Sequence, residues 1–268
     1  MSSSPIIDTW NVASFDPALL RMLEQNTALI CDYLTTSRRQ FLEREASDHR
    51  GVPPTNPYAA DHQDFVEAIG REMNRRTMRA WHYTRLVDDE VRSIRESGIH
   101  PGTLETLRRR LEAQARAGLL SAADAEGLYA ASPCHHPEQK PGRLGKFWLT
   151  SDPVRVDDGG VKLLLENWGG EATYFWLKDE RLEELVAGIG QPRILEVAVP
   201  VKKTNHWLRA GGAVVCAFAR TLGCRPDRGA FDLYTIEPLG PTTILAIHSS
   251  SEPTFRKVGK GYPAEFRP

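Results

Sequence analysis

Apolar positions along the chain follow two rhythms, and each predicts a different kind of element. Behind Asp16, a side chain suited to capping a helix, Leu19, Leu20, Met22, Leu23, Ile30 and Leu34 recur and predict one long helical stretch. Phe65, Ile69 and Met73 stand at i, i+4 and i+8 and predict a second helix from His62 to about Arg76. Val87, Val91 and Ile94 predict a third. Asp88, Asp89 and Glu90 crowd its first turn, where the helix dipole favours negative charge, and Gly98 stands where it would end. Leu104, Leu107 and Leu111 follow Pro101-Gly102-Thr103, and Ser121 with Asp124 has capping-box spacing for a short helix to about Ala130. Val161, Leu164, Leu165 and Trp168 return to helical spacing before Gly169-Gly170. Asp179–Ala187 reads as a short helix, and Gly211–Leu222 as an apolar one. Short runs rich in aromatic and β-branched residues predict strands at Arg79–Arg85, Gly145–Pro153, Ala172–Leu177, Arg193–Pro200, Phe231–Ile236 and Thr243–His248.

The order of these elements sets the domain expectation. Residues 1–13 read as a loose leader, Gly51–Pro57 and Pro133–Gly145 as loops, and 252–268 as a basic tail without a clear element. We expect a helical N-terminal region over 1–78, a mixed domain over 79–250 with a helical hairpin inserted at 101–132, and a tail over 251–268. Strands and helices do not alternate regularly, so the fold class is α+β rather than a doubly wound sheet. No Gly-x-Gly-x-x-Gly follows a strand and no Walker loop occurs, which argues against a Rossmann dinucleotide site or a phosphate loop.

Composition narrows the function classes modestly. Of 268 residues, 41% are hydrophobic and 26% charged, and the formal net charge of −1 provides no global field to recruit nucleic acid or a membrane. The four cysteines are scattered, the N-terminus lacks the pattern of a signal peptide, and no apolar run is long enough to span a bilayer. A cytoplasmic protein with no membrane partner is the expectation. A basic cluster of Arg71, Arg75, Arg76 and Arg79 reads first as a solvated helix face and second as a phosphate-contacting patch. Cys134-His135-His136 lacks the second ligand pair that a zinc site usually shows, so no metal is expected. Neither a Gly-x-Ser-x-Gly elbow nor a His-Glu-x-x-His helix is present.

The polar trio His82-Tyr83-Thr84 closes a strand just before a chain reversal, a place where sites are commonly built. Trp81-His82-Tyr83-Thr84, the helix behind it and Ser97-Gly98-Ile99 resemble the first strand and helix of the ADP-ribosyltransferase fold, shared by poly-ADP-ribose polymerases, diphtheria-type toxins and DNA-modifying toxins. Leu144–Asp152 resembles the family's second segment, and Ile194–Val199 its central core strand. Phe231–Thr235, a proline turn and Ile244–Ile247 resemble its last motif. The matches keep the family order from Trp81 to His248, about two thirds of the chain.

The resemblance implies split antiparallel sheets and a mono-ADP-ribosyltransferase, toxin- or defence-like, that uses NAD as co-substrate. It also implies a macromolecular acceptor (protein or nucleic acid) and leaves room for an inhibitor or antitoxin partner. Cleaving the nicotinamide–ribose bond develops positive charge at the anomeric carbon. A carboxylate on the ribose 2′-hydroxyl strengthens its hold as that charge grows, as in glycosidases. His82 would orient the ribose; Trp81, Tyr83, Thr84, Phe147, Ser151 and Tyr174 would line the NAD site. In active relatives the last motif begins with a glutamate. Here that place falls on Asp232, or even Phe231, with Glu171 after Gly169-Gly170 as the second choice and Glu237 as a third. That departure keeps a second class open: a catalytically silent binding module of the same fold. A third reading, an RNA 2′-phosphotransferase, would want two arginines about the pocket, and the sequence places only Arg85 beside His82.

Overall fold

The computed structural model describes residues 5–46, 54–227 and 229–261. Its elements in chain order are β1 (Ile6–Ile7), α1 (Pro17–Gln25), α2 (Thr27–Glu45), α3 (Ala59–Met73), β2 (Thr77–Leu86), α4 (Asp88–Ser97), α5 (Leu104–Arg116), α6 (Ala122–Ala130) and α7 (Lys140–Arg143). There follow β3 (Phe147–Thr150), α8 (Gly159–Glu166), α9 (Glu171–Tyr174), α10 (Glu180–Gly188), β4 (Gln191–Pro200), α11 (Trp207–Thr221), β5 (Asp232–Thr235), β6 (Ile244–Ser249) and α12 (Pro253–Val258). The class is α+β with an open antiparallel sheet. Two compact units are formed: one takes the described residues up to Arg79 together with Pro200–Phe231, the other Ala80–Val199 together with those from Asp232 onward. The helical unit is therefore discontinuous in sequence, because α11 folds with α3.

In the helical unit, Asp16 caps α1 by accepting from the Ala18 and Leu19 N–H groups. The single stretch expected behind Asp16 is two helices. Asn26 breaks it, with φ −113° and ψ 17°, and its amide donates to the Met22 carbonyl at 2.9 Å, the local competition that makes Asn a poor helix interior. The leader expected to be loose is ordered from Ile6. Ile6 and Ile7 pair in parallel with Thr77 and Met78, and Ile7 is wholly buried. Gly51–Pro53 of the expected linker and 262–268 of the expected tail lie outside the described residues. Helices α3 and α11 approach backbone to backbone. A Cβ on Gly211 would lie 2.6 Å from the Gly70 nitrogen and 2.7 Å from the Val66 carbonyl oxygen. Each arginine of the basic cluster is ion-paired: Arg71 with Glu67, Arg75 with Glu72, Arg76 with Asp16 and Glu72, and Arg79 with Asp8. The expected solvated helix face holds for Arg71 alone: Arg75 and Arg76 lie beyond α3, Arg76 is mostly buried, and Arg79 is in β2.

In the second unit the strand order is β5-β3-β2-β4-β6. β3 and β5 are antiparallel from Phe147↔Thr235 to Thr150↔Asp232, and β4 and β6 from Arg193↔Ser249 to Val197↔Ile244 with an irregularity at Glu196/Val197. β2 and β3 join more narrowly, through the register pair Trp81↔Thr150. Helices α5 and α6 form the expected hairpin. Thr103 and Ser121 cap their N-termini, and Leu107, Leu111 and Leu128 pack with Leu182 and Val186 of α10 around Trp168.

Three expectations are corrected here. Ala172–Leu177 is not a strand. Gly169 and Gly170 take positive φ (84° and 63°), the Thr173 hydroxyl bonds back to the Trp168 and Gly170 carbonyls, and the chain closes into the short helix α9. The loop expected at Pro133–Gly145 holds a 3₁₀ turn at Pro133–His135 and the short helix α7, anchored by the fully buried Cys134. The tail contains α12, held by the buried Phe255.

Candidate functional site

The site is built on the junction of β2 and β3. Alternation along β2 sends neighbouring side chains to opposite faces, so His82 and Tyr83 meet different partners. Past Trp81↔Thr150 the imidazole takes up a backbone partner: its Nδ1 lies 2.8 Å from the Trp148 carbonyl oxygen and so carries the proton as donor. The Phe147 ring lies 4.3 Å away, tilted by 37°. Burial pushes the His82 pKa down to about 4. The Trp148 carbonyl opposes that shift and the charge of Arg110 reinforces it. A neutral ring donating from Nδ1 presents Nε2 as an acceptor. Tyr83 instead is locked: its hydroxyl donates to the Val154 carbonyl at 3.0 Å and accepts from the Val154 N–H at 2.6 Å, and burial pushes the phenol pKa up.

His82 opens onto a cleft of about 1370 Å³ within the second unit. Trp81, Tyr83, Thr84 and Phe147 line it as well, and so do Glu171 and Asp232. The residues from the strand junction and both downstream acids thus border one space. Ser151 and Tyr174 do not line it: Ser151 is fully buried beside Asp152, and Tyr174 sits on α9, its pKa raised to about 12 by burial and by Glu171. Glu171, the first residue of α9, is half-exposed and pairs with Arg143 at 3.1 Å. Asp232 is exposed at the start of β5, opposite Thr150. Glu237 lies in the turn after β5 and does not line the cleft.

Sequence reading overlooked two cleft residues, Glu90 and Arg110. Glu90 is the third residue of α4. Its carboxylate accepts from the Val87 N–H (3.1 Å), the Trp168 indole N–H (2.9 Å) and Arg110 Nε (2.7 Å). Arg110 lies over the Trp168 ring, and its Nη2 is buried without a hydrogen-bond partner. Arg110 borders the cleft while its Nη2 is sealed from solvent, so a shift of the side chain is needed before that spare donor meets an anionic ligand group. The spacing of Glu90 in the first turn was visible as a helix-start signal; its link to an arginine some twenty residues on, across a different helix, had no local signature. Arg85, by contrast, is committed to the Ile189 carbonyl at 2.7 Å. Among the described residues no group of three or more His, Cys, Asp or Glu side chains is placed to hold a metal, and no helix is long and apolar enough to cross a membrane.

No protein-family model matches the chain, and neither the curated proteins nor the solved structures contain a match to it.

Proposed function

We propose that the protein is an NAD⁺-dependent mono-ADP-ribosyltransferase acting on a protein or nucleic-acid acceptor. The observation that supports this reading is that His82, with the Phe147 ring against it, borders the same broad cleft as Glu171 and Asp232. In this reaction the C1′–N bond of NAD⁺ breaks and nicotinamide leaves with the bonding pair, which neutralises its ring charge. The acceptor nucleophile then bonds to C1′ and gives up a proton. His82, neutral at physiological pH, orients the ribose; the aromatic walls hold the departing ring. Arg110, on the border of the cleft, supplies positive charge for the pyrophosphate. Glu171 or Asp232 stabilises the positive ribosyl carbon.

The test is release of nicotinamide from NAD⁺ by the pure protein with protein and nucleic-acid acceptors supplied. His82→Ala lowers turnover by about 100-fold or more, the scale of losing a transition-state contact. Of Glu171→Gln and Asp232→Asn, the one that matches that loss identifies the carboxylate. Turnover unchanged in His82→Ala refutes the assignment. A second reading, a silent binding module, draws on the engagement of Glu171 by Arg143 and of the imidazole by Trp148. It predicts calorimetric NAD⁺ binding without nicotinamide release.

A further inference from the structure

Away from the cleft, the helical unit holds two thiols in contact. Helix α11 ends in a Schellman arrangement: the Gly223 N–H donates to the Arg220 carbonyl at 3.0 Å and the Cys224 N–H to the Ala219 carbonyl at 3.1 Å, with Gly223 at φ 80°. That reversal fixes Cys224 as the residue after the turn and directs it at α2, where Cys31 occupies the second turn. The two sulfur atoms lie 3.3 Å apart, although 193 positions separate them in the chain. Both residues are half-buried rather than sealed, whereas Cys134 is fully buried. The remaining thiol, Cys216, belongs to α11 itself and is also partly covered.

We propose that Cys31 and Cys224 form a redox modification site, at which a peroxide converts the two thiols into a disulfide that joins α2 to the end of α11. One sulfur attacks a peroxide oxygen; the O–O bond breaks, water leaves and a sulfenic acid forms. The second sulfur attacks the first, the S–O bond breaks and a second water leaves with the hydroxyl. The dithiol loses two electrons and two protons, and one hydrogen peroxide is reduced to two waters. Closing the sulfur separation to the bonded value of about 2.05 Å needs a small side-chain adjustment. Burial, with the neighbouring Cys31, pushes the Cys224 thiol up to about 11, which keeps that thiol protonated near neutrality and slows its own attack on an oxidant.

The experiment compares the full chain reduced and after mild hydrogen peroxide treatment. Under denaturing conditions the free thiols of the four cysteines fall by two. Peptide mapping finds the Cys31 and Cys224 peptides linked within one chain, and the thermal midpoint rises by about 10 °C, the scale expected for closing a long loop. Cys31→Ser and Cys224→Ser each abolish the linked peptide and the midpoint shift; Cys216→Ser retains both. Mapping of the unaltered chain decides the matter without the variants. Sulfinic acid at either cysteine with no linked peptide, or a link that uses Cys134, Cys216 or a second chain, overturns the proposal.

Discussion

At the contact between α3 and α11, glycine meets glycine and backbone atoms fill the space that side chains would occupy. Along the cleft of the second unit, guanidinium and carboxylate groups border open volume, and the Nη2 of Arg110 is buried with no protein partner. The first region is saturated: adding one methyl group has nowhere to go. The second is under-satisfied by the protein alone, a condition that costs stability and that a ligand can relieve. The glycine contact lacks room and the Arg110 guanidinium lacks a polar partner, so substitutions at the two places should fail in different ways.

The largest effect is expected where packing is tightest. Gly211→Val sets branched methyl groups against the Gly70 nitrogen and the Val66 carbonyl, atoms that cannot rotate away, and should cost about 3 kcal/mol or more in denaturant unfolding. Even Gly211→Ala should destabilise, although alanine is the better helix former by about 1 kcal/mol. A neutral or stabilising Gly211→Ala would show that the helices can part cheaply, and the contrast would weaken. Beside the cleft, Tyr83→Phe removes one donor and one acceptor from the Val154 backbone while keeping the ring. The expected loss is about 2 kcal/mol in the same measurement, from a peptide group left unpaired. A loss under half that value would mean that water replaces the hydroxyl and that this wall of the cleft is wetter than the packing of Tyr83 implies.

The two regions also differ in how legible they were. Periodicity found α3, α4, the α5–α6 hairpin and the core strand β4, because each buries one continuous apolar stripe or run, and the cap residues Asp16, Thr103 and Ser121 sit where their chemistry predicts. It misassigned Ala172–Leu177, whose aromatic and β-branched composition has no neighbouring strand to pair with, and whose glycines and Thr173 make a helical turn instead. At the cleft, the polar trio His82-Tyr83-Thr84 was legible but not its place: expected to close a strand, it lies within β2, which runs on to Leu86. The Glu90–Arg110 pair was not legible, since it depends on the packing of α5 against α4, a tertiary choice that no local window encodes. The pairing of α11 with α3 was hidden for the same reason: small residues permit close approach but do not name the partner.

The smallest of these effects is the most diagnostic for the cleft. Burial holds the folded pKa of His82 near 4, against an unfolded value of about 6.5, so between those limits the unfolded chain binds more protons than the folded one. Stability must then fall as pH is lowered through that window, and the contribution levels off below about pH 4, where both states are protonated. From pH 7 to pH 5.5 the loss assignable to this ring is about 1 kcal/mol. His82→Gln, whose amide can still donate to the Trp148 carbonyl but does not titrate, should remove that part of the slope and leave the contribution of the other histidines. The ring's own NMR titration should show a midpoint near 4 with Nδ1 protonated throughout the neutral range. A midpoint near 6.5 would place the imidazole in water, and a ring that wet would not be held as the neutral donor that sets one wall of the cleft.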